Sequence, residues 1–149
     1  MGFQDAVTTA LSRYARFHGR ARRAEYWWFM LFVVLSHLIG SALDMAVSAL
    51  APFPVFGTLI SLALLIPSLS AAVRRLHDAN RSGWWLLLPA GLAPLVLLLG
   101  VYVSELGEPT TGGLLLGIGL MLWLPVAIML ILRGTDGGNR FGADPLAVG

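Results

Sequence analysis

The amino-acid sequence predicts an all-α membrane protein with four transmembrane helices and a short amphipathic N-terminal helix. Of its 149 residues, 57% are hydrophobic and 12% are charged, whereas soluble domains average about 25% charged residues. The charged residues leave four uncharged runs of 18, 29, 23 and 24 residues. A helix needs about 20 apolar residues to cross the hydrocarbon of a bilayer, so the chain has room for four crossings. The runs lie between Glu25 and Asp44, Asp44 and Arg74, Arg81 and Glu105, and Glu108 and Arg133.

The first element is the amphipathic helix, predicted over residues 3–17. Its apolar side chains recur at helical spacing, and Arg13 and Arg16 lie on other faces. This pattern is typical of a helix that lies on a membrane surface. The apolar positions are Phe3, Val7, Leu11 and Tyr14.

The four membrane spans form a single domain, 1–149, with the N-terminal helix and a cytoplasmic tail. Tryptophan pairs, Trp27-Trp28 and Trp84-Trp85, begin the first and third spans. Such rings favour the interface between membrane and water. The predicted spans cover about residues 26–43, 55–73, 84–103 and 112–132, and the tail covers residues 133–149.

Prolines and glycines within the spans predict local departures from a straight helix. Proline removes a backbone hydrogen bond, so each internal proline predicts a kink. Gly113 and Gly117 form a GxxxG pair and Gly119 extends the small face, which predicts close packing of the fourth span against another helix. The internal prolines are Pro67, Pro89, Pro94 and Pro125.

Arginine placement predicts the orientation in the membrane. All ten basic residues are arginines, and every one lies in the N-terminal segment, the loop between spans two and three, or the tail. Basic residues are retained on the cytoplasmic side of bacterial membranes. We therefore expect a multi-pass membrane protein with both termini and the second loop on the cytoplasmic side.

Several kinds of chemistry are excluded or disfavoured by composition and motif. The chain has no cysteine, which excludes disulfides and thiolate metal sites. Its net charge of +2 is too small to indicate nucleic-acid binding. No phosphate-binding loop, dinucleotide fingerprint, serine nucleophile motif or paired zinc ligands are present. The sequence predicts no cofactor, no metal site and no catalytic residue, and it favours a non-enzymatic protein.

Three polar motifs interrupt the apolar sequence, and the predicted topology places all of them on the cytoplasmic face. Together they resemble the signature of the bacterial membrane-protein family DUF805, over about residues 17–145. The resemblance implies a small inner-membrane protein with several helices, and it implies no activity. The motifs read GRARRAEYWW at 19–28, RRLHDANRSGWW at 74–85 and GGNRFGADP at 137–145.

The motifs supply a candidate binding site for anionic phospholipid or a partner protein. Converging guanidinium groups hold phosphate through paired hydrogen bonds, and basic residues at the membrane surface attract anionic lipid. The alternative is a charge-anchored turn in which carboxylates neutralise the arginines and join the helices. The candidate binding residues are Arg20, Arg22, Arg23, Trp27, Arg74, Arg75, Arg81 and Trp84. The candidate polar network is Glu25, His77, Asp78, Ser82, Asn139, Arg140 and Asp144.

Two polar residues fall inside or at the edge of the first span. His37 lies near mid-membrane and Asp44 near the outer boundary, where polar groups are often functional or form hydrogen bonds between helices. A small oligomeric transporter or channel subunit with a path lined by His37 is therefore one alternative. A lipid-headgroup enzyme with His77 and Asp78 as an acid/base pair is another. Partners expected in every case are membrane lipids, preferentially anionic, with a homo-oligomer or a membrane protein partner as further options.

Overall fold

A computed structural model describes residues 1–48 and 53–147, and it confirms the predicted fold class. Within those ranges the chain is helical and contains no strand. Four helical segments are long and apolar enough to cross a membrane. The segments are Arg23–Ala46, Val55–Asp78, Gly83–Glu105 and Pro109–Ile131.

The N-terminal helix, α1, spans Phe3–Ser12 and is shorter than the predicted range of 3–17. It ends at Ser12 because Arg13 leaves the helical conformation, with φ of −103° and ψ of 36°, and a turn follows at residues 13–15. The small residues Ala6 and Ala10 are fully buried where α1 packs against the next two helices.

The first two spans are single long helices, α2 (Arg23–Ala46) and α3 (Val55–Asp78). They approach closely at Gly40, where an added Cβ would lie 3.3 Å from the backbone nitrogen of Gly57. Helix α3 continues through the buried Pro67. It ends where Asn80 adopts a left-handed conformation with φ of 55°, a common way to terminate a helix.

The third and fourth spans are interrupted near their prolines. The third begins with a 3₁₀ turn, Gly83–Leu86, and a π-helical turn, Leu88–Leu92, before α4 (Ala93–Glu105). The fourth consists of α5 (Pro109–Met121) and α6 (Leu124–Ile131). Pro89, Pro94 and Pro125 each lie at the start of a segment, where the regular α-helical hydrogen bonding is interrupted, because proline supplies no backbone N–H.

Helices α4 and α5 form a tight hairpin through glycines other than the predicted pair. An added Cβ at Gly112 would lie 2.6 Å from the Gly100 carbonyl oxygen, and one at Gly119 would overlap Leu97. Gly113 and Gly117 face open space, so the predicted contact through them is wrong within this chain. Spacing identifies a small-residue face, but it leaves open which face turns towards the partner helix.

The three polar motifs meet at one end of the bundle, which we call the arginine end. Helix α2 begins there, α3 ends there, the third span begins there, and α6 delivers the tail there. Most of the hydrophobic core lies close to this end, built around Phe29, Ala71, Leu76, Val126 and Leu130. Elsewhere large apolar side chains cover the outside of the helices, as expected of surfaces that contact lipid.

Candidate functional site

The centre of the arginine end is Asp78, which binds two arginines. Its Oδ1 accepts a hydrogen bond of 3.0 Å from Nε of Arg20, and its Oδ2 accepts one from Nη1 of Arg75. The Arg20 and Asp78 side chains are 1% and 7% exposed, and that of Arg75 is fully buried. One carboxylate therefore neutralises part of the charge of two guanidinium groups that are removed from water.

Backbone carbonyls satisfy the remaining donors of these two arginines. Arg20 donates to the carbonyls of Gly137 and Thr135 at 2.6 Å each. Nε of Arg75 donates to the Leu130 carbonyl at 3.0 Å, and its Nη2 donates to Leu132. The last carbonyls of a helix have no partner within the helix and carry partial negative charge. Arg75 therefore stabilises the end of α6, while Arg20 fixes the tail that follows it.

Glu25 and Arg74 form a second buried pair, which joins α2 to α3. Nη1 of Arg74 donates to Oε1 of Glu25, and both side chains are at most 4% exposed. Arg13 extends this pair, with its Nη1 at 3.8 Å from Oε2 of Glu25. In the described residues, Nε and Nη2 of Arg74 are buried without a hydrogen-bond partner. Glu25 thus neutralises Arg74 without satisfying all of its donors.

The His77 ring stacks on an aromatic ring of the tail, and this contact helps to attach the tail to the helices. Its ring lies parallel to that of Phe141 at 3.9 Å, and its Nδ1 is 3.1 Å from the Gly19 carbonyl oxygen. The guanidinium carbon of Arg140 lies over the Phe141 ring, 4.7 Å from the ring centroid. Asn139 donates to the His77 carbonyl at 2.9 Å. This geometry gives His77 a structural role and no approach to either cavity described below.

The Ser82 side chain caps the start of the third span. Its Oγ accepts a hydrogen bond of 3.4 Å from the Trp84 backbone N–H. Trp84 itself is 77% exposed, which suits an aromatic ring at the membrane interface.

Three of the six candidate arginines remain available to a ligand. In the part of the chain that the structure describes, the guanidinium groups of Arg22, Arg23 and Arg81 form no ion pair or hydrogen bond. All three are at least partly exposed. The buried Arg20, Arg74 and Arg75 are occupied by protein groups. The charge-anchored interpretation therefore describes Arg20, Arg74 and Arg75, and ligand binding by the other three arginines stays a prediction.

A cavity of about 390 Å³ lies beside Arg22 and Arg23, two of these three arginines, and we call it the recess. The tail forms one wall, and the beginning of α2 forms the other. The recess contains charges of both signs, because four arginines and three aspartates line it. The arginines are Arg20, Arg22, Arg23 and Arg133, and the aspartates are Asp78, Asp136 and Asp144.

Asp144 organises the tail wall of the recess. Its carboxylate accepts hydrogen bonds from the backbone N–H groups of Leu146 at 2.8 Å and Gly137 at 2.9 Å. These bonds lower the pKa of Asp144 below its ordinary value. The group is therefore ionised near neutral pH and adds negative charge to this wall.

A second, open cavity of about 520 Å³ borders the recess at the beginning of α2, and we call it the groove. Trp27, Trp28 and Leu31 of α2 line it, with Ile131 of α6 opposite. Arg23 and Ala24 line both cavities. The polar recess and the more apolar groove therefore adjoin at these two residues.

The intramembrane polar residues join α2 to α3 away from the arginine end. Nδ1 of His37 lies 2.9 Å from the Val33 carbonyl oxygen, and its Nε2 lies 3.0 Å from Oγ of Ser61. Asp44 accepts hydrogen bonds of 2.8 Å from the backbone N–H groups of Phe56 and Gly57. It therefore caps the first turn of α3 from the neighbouring helix, which explains a carboxylate at this depth.

Sequence reasoning missed several members of the arginine end. Thr135 was not singled out, although its carbonyl binds Arg20 and its N–H donates to the Asp78 carbonyl at 2.9 Å. Gly134 was missed too, and an added Cβ there would overlap the Asp78 carboxylate. Their position immediately after an arginine at the end of a span was the available signal, but nothing in the sequence identifies their partners.

Comparison with known proteins gives matches over most of the chain. The model of the family described as "Protein of unknown function (DUF805)" matches residues 14–143. The chain is 32% identical to Escherichia coli K12 "Inner membrane protein YhaI" over 138 residues, 92% of each chain. It is 30% identical to "Inner membrane protein YhaH" of the same strain over 143 residues, 95% of this chain and 96% of that one. No solved structure matches the chain.

Proposed function

Because the chain belongs to the DUF805 family and is a multi-pass inner-membrane protein, we propose that it is a non-enzymatic module that binds anionic phospholipid at its arginine end. The observation that carries the proposal is the division of the arginines into a buried, paired group and a free group. Arg22, Arg23 and Arg81 form the free group, beside exposed tryptophans.

The tryptophans support a location at the depth of lipid headgroups. Trp27 is 44% exposed and Trp84 is 77% exposed, and each follows a free arginine by three or four positions. Aromatic rings settle at the membrane interface, and arginine side chains there reach the phosphate layer. The free guanidinium groups therefore lie where phosphate is concentrated.

The free charge is sufficient for a measurable lipid preference. Each basic residue near an anionic leaflet contributes about 1 kcal/mol. Three such residues give about 3 kcal/mol, which corresponds to roughly a hundredfold preference. Asp136 and Asp144 reduce this value because they face the recess. The proposal is thus narrower than the sequence hypothesis, which assigned six arginines to phosphate.

Native mass spectrometry of the full chain, purified in detergent and mixed with equal amounts of phosphatidylglycerol and phosphatidylethanolamine, tests the proposal. We expect preferential retention of phosphatidylglycerol. Retention should fall in each of Arg22→Gln, Arg23→Gln and Arg81→Gln, because each removes one free positive charge.

Arg16→Gln is the matched control for these variants. Arg16 is exposed, and its Nε donates to His18 Nε2 at 2.9 Å, so its guanidinium, unlike those of Arg22, Arg23 and Arg81, already has a hydrogen-bond partner among the described residues. The control should retain the preference of the unmodified protein. Equal retention of the two lipids by the unmodified chain, or equal losses in all four variants, would overturn the proposal.

A further inference from the structure

The recess and the groove meet at Arg23 and Ala24, so a polar cavity and an apolar cavity share one boundary. We infer that the two cavities form one binding site for a single phosphatidylglycerol molecule. Its headgroup occupies the recess, its phosphate binds Arg22 and Arg23, and one acyl chain lies along the groove. This inference rests on the proposed function and replaces a diffuse attraction by a defined site.

The volume of the recess fits a small headgroup. Its volume of about 390 Å³ lies towards the lower end of the range for ligand cavities, which is about 300–1,000 Å³. Arg22 and Arg23 line the recess at the beginning of α2, and Arg23 lines the groove as well. A phosphate at this position is paired with two guanidinium groups, a strong arrangement for phosphate recognition.

The carboxylates of the recess determine which anionic headgroup it accepts. Asp136 and Asp144 face the interior from the tail wall. Carboxylates accept hydrogen bonds from hydroxyl groups and repel a second negative charge. A glycerol headgroup offers hydroxyl donors and adds no charge. Phosphatidic acid ends in a phosphate that carries more negative charge than the phosphate of phosphatidylglycerol. It has no glycerol group to donate hydrogen bonds, so it fits the site less well.

The groove matches one acyl chain in direction and chemistry. Leu31 lies eight positions after Arg23 on α2, which places it about 12 Å deeper along the helix. Trp27 and Trp28 lie between these two depths, and Ile131 of α6 faces them. The cavity therefore changes from cationic to apolar over the distance at which a phospholipid makes the same change.

The headgroup is tested by competition in native mass spectrometry. The full-length protein in detergent is mixed with phosphatidylglycerol, phosphatidic acid and phosphatidylethanolamine that carry the same acyl chains. We expect one tightly retained phosphatidylglycerol per chain and at least fivefold lower occupancy by the other two lipids. Retention of phosphatidic acid equal to or above that of phosphatidylglycerol would overturn the headgroup assignment.

The groove is tested by filling it from either wall. Leu31→Trp and Ile131→Trp should each lower the occupancy of the single phosphatidylglycerol about tenfold, because an indole ring takes the space of the acyl chain. Leu65→Trp is the matched control. Leu65 is 51% exposed against 41% for Leu31, it lies at a similar depth on α3, and it lines neither cavity.

The outcomes separate the inference from the proposed function. If Leu31→Trp, Ile131→Trp and Leu65→Trp all bind like the unmodified chain, the single site is wrong. A continued effect of Arg22→Gln would then leave the general lipid proposal standing. If the unmodified chain does not prefer phosphatidylglycerol to phosphatidylethanolamine, both fail together.

Discussion

Arg20 and Asp78, 58 positions apart in the sequence, form a buried ion pair with Nε and Oδ1 separated by 3.0 Å. Arg20 also binds tail carbonyls, and Asp78 also binds Arg75. The segment before α2, the end of α3 and the tail are thereby held together at the arginine end. Such a pair fixes geometry more than it adds stability, since burying both charges costs desolvation energy.

Removing the charge of Asp78 should destabilise the whole arginine end. Asp78→Asn leaves two buried guanidinium groups without their shared anion, and breaking a buried pair in this way costs about 3–5 kcal/mol. The free energy of unfolding in mixed detergent micelles measures the effect. Asp136→Asn is the control, since its pair with Arg133 is more than 70% exposed on both sides. A loss below about 1 kcal/mol, typical of surface pairs, is expected there, and equal losses would contradict the role given to Asp78.

Gly134 should be intolerant of any side chain. The Cβ of Gly134→Ala overlaps the Asp78 carboxylate, which cannot move away because two arginines hold it. Forced overlap of this kind costs about 1–3 kcal/mol, and the unfolding midpoint should fall accordingly. Gly138→Ala is the comparison within the same tail, because its nearest neighbour would be 3.9 Å away. An unfolding midpoint that is unchanged by Gly134→Ala would show that Gly134 does not pack on Asp78.

Adjacent glycines in α5 offer a second matched pair. Gly112→Ala places its Cβ against the Gly100 carbonyl and the Ser104 backbone, so the α4–α5 hairpin must separate. Gly113→Ala meets nothing within 4 Å and replaces glycine by a better helix former. We expect a lower unfolding midpoint for Gly112→Ala and an unchanged or higher one for Gly113→Ala. The reverse order would place the other face of α5 against α4.

The orientation predicted from arginine placement can be measured directly because the chain has no cysteine. Glu108→Cys marks the loop between the third and fourth spans, and Gly138→Cys marks the tail. In spheroplasts, a membrane-impermeant maleimide should label Glu108→Cys at once and Gly138→Cys only after permeabilisation. Labelling of Gly138→Cys in intact spheroplasts would place the arginine end on the outer side of the membrane.

The membrane spans could be predicted from the sequence because one physical constraint dominates them. A charged side chain inside hydrocarbon is costly, so uncharged runs mark the crossings, and the structure places its four long helices over them. Asp44 is an exception to this pattern, because it is a charged residue at the edge of the first span. Its cross-helix cap of α3 accounts for it, and that contact depends on how two helices align, which spacing along one helix does not specify.

The pairing of the arginines could not be predicted for a related reason. Six candidate arginines and several carboxylates converge at one end of the bundle, and all of them match a phosphate site or an internal network equally well. Which arginines are paired depends on the tail, because its carbonyls at Thr135 and Gly137 accept hydrogen bonds from Arg20. Backbone carbonyls are present at every residue, so sequence alone does not reveal which of them become ligands of a buried arginine.

The account depends most directly on the different roles given to Arg20 and Arg22, which are two positions apart. The measurement is a comparison of Arg20→Gln and Arg22→Gln in the full-length protein, recording both the free energy of unfolding and the retention of phosphatidylglycerol. Arg20→Gln should lose about 3 kcal/mol of stability, as expected for a broken buried pair. Arg22→Gln should keep its stability and lose retention. Equal stability losses in the two variants, or unchanged retention in Arg22→Gln, would contradict the account.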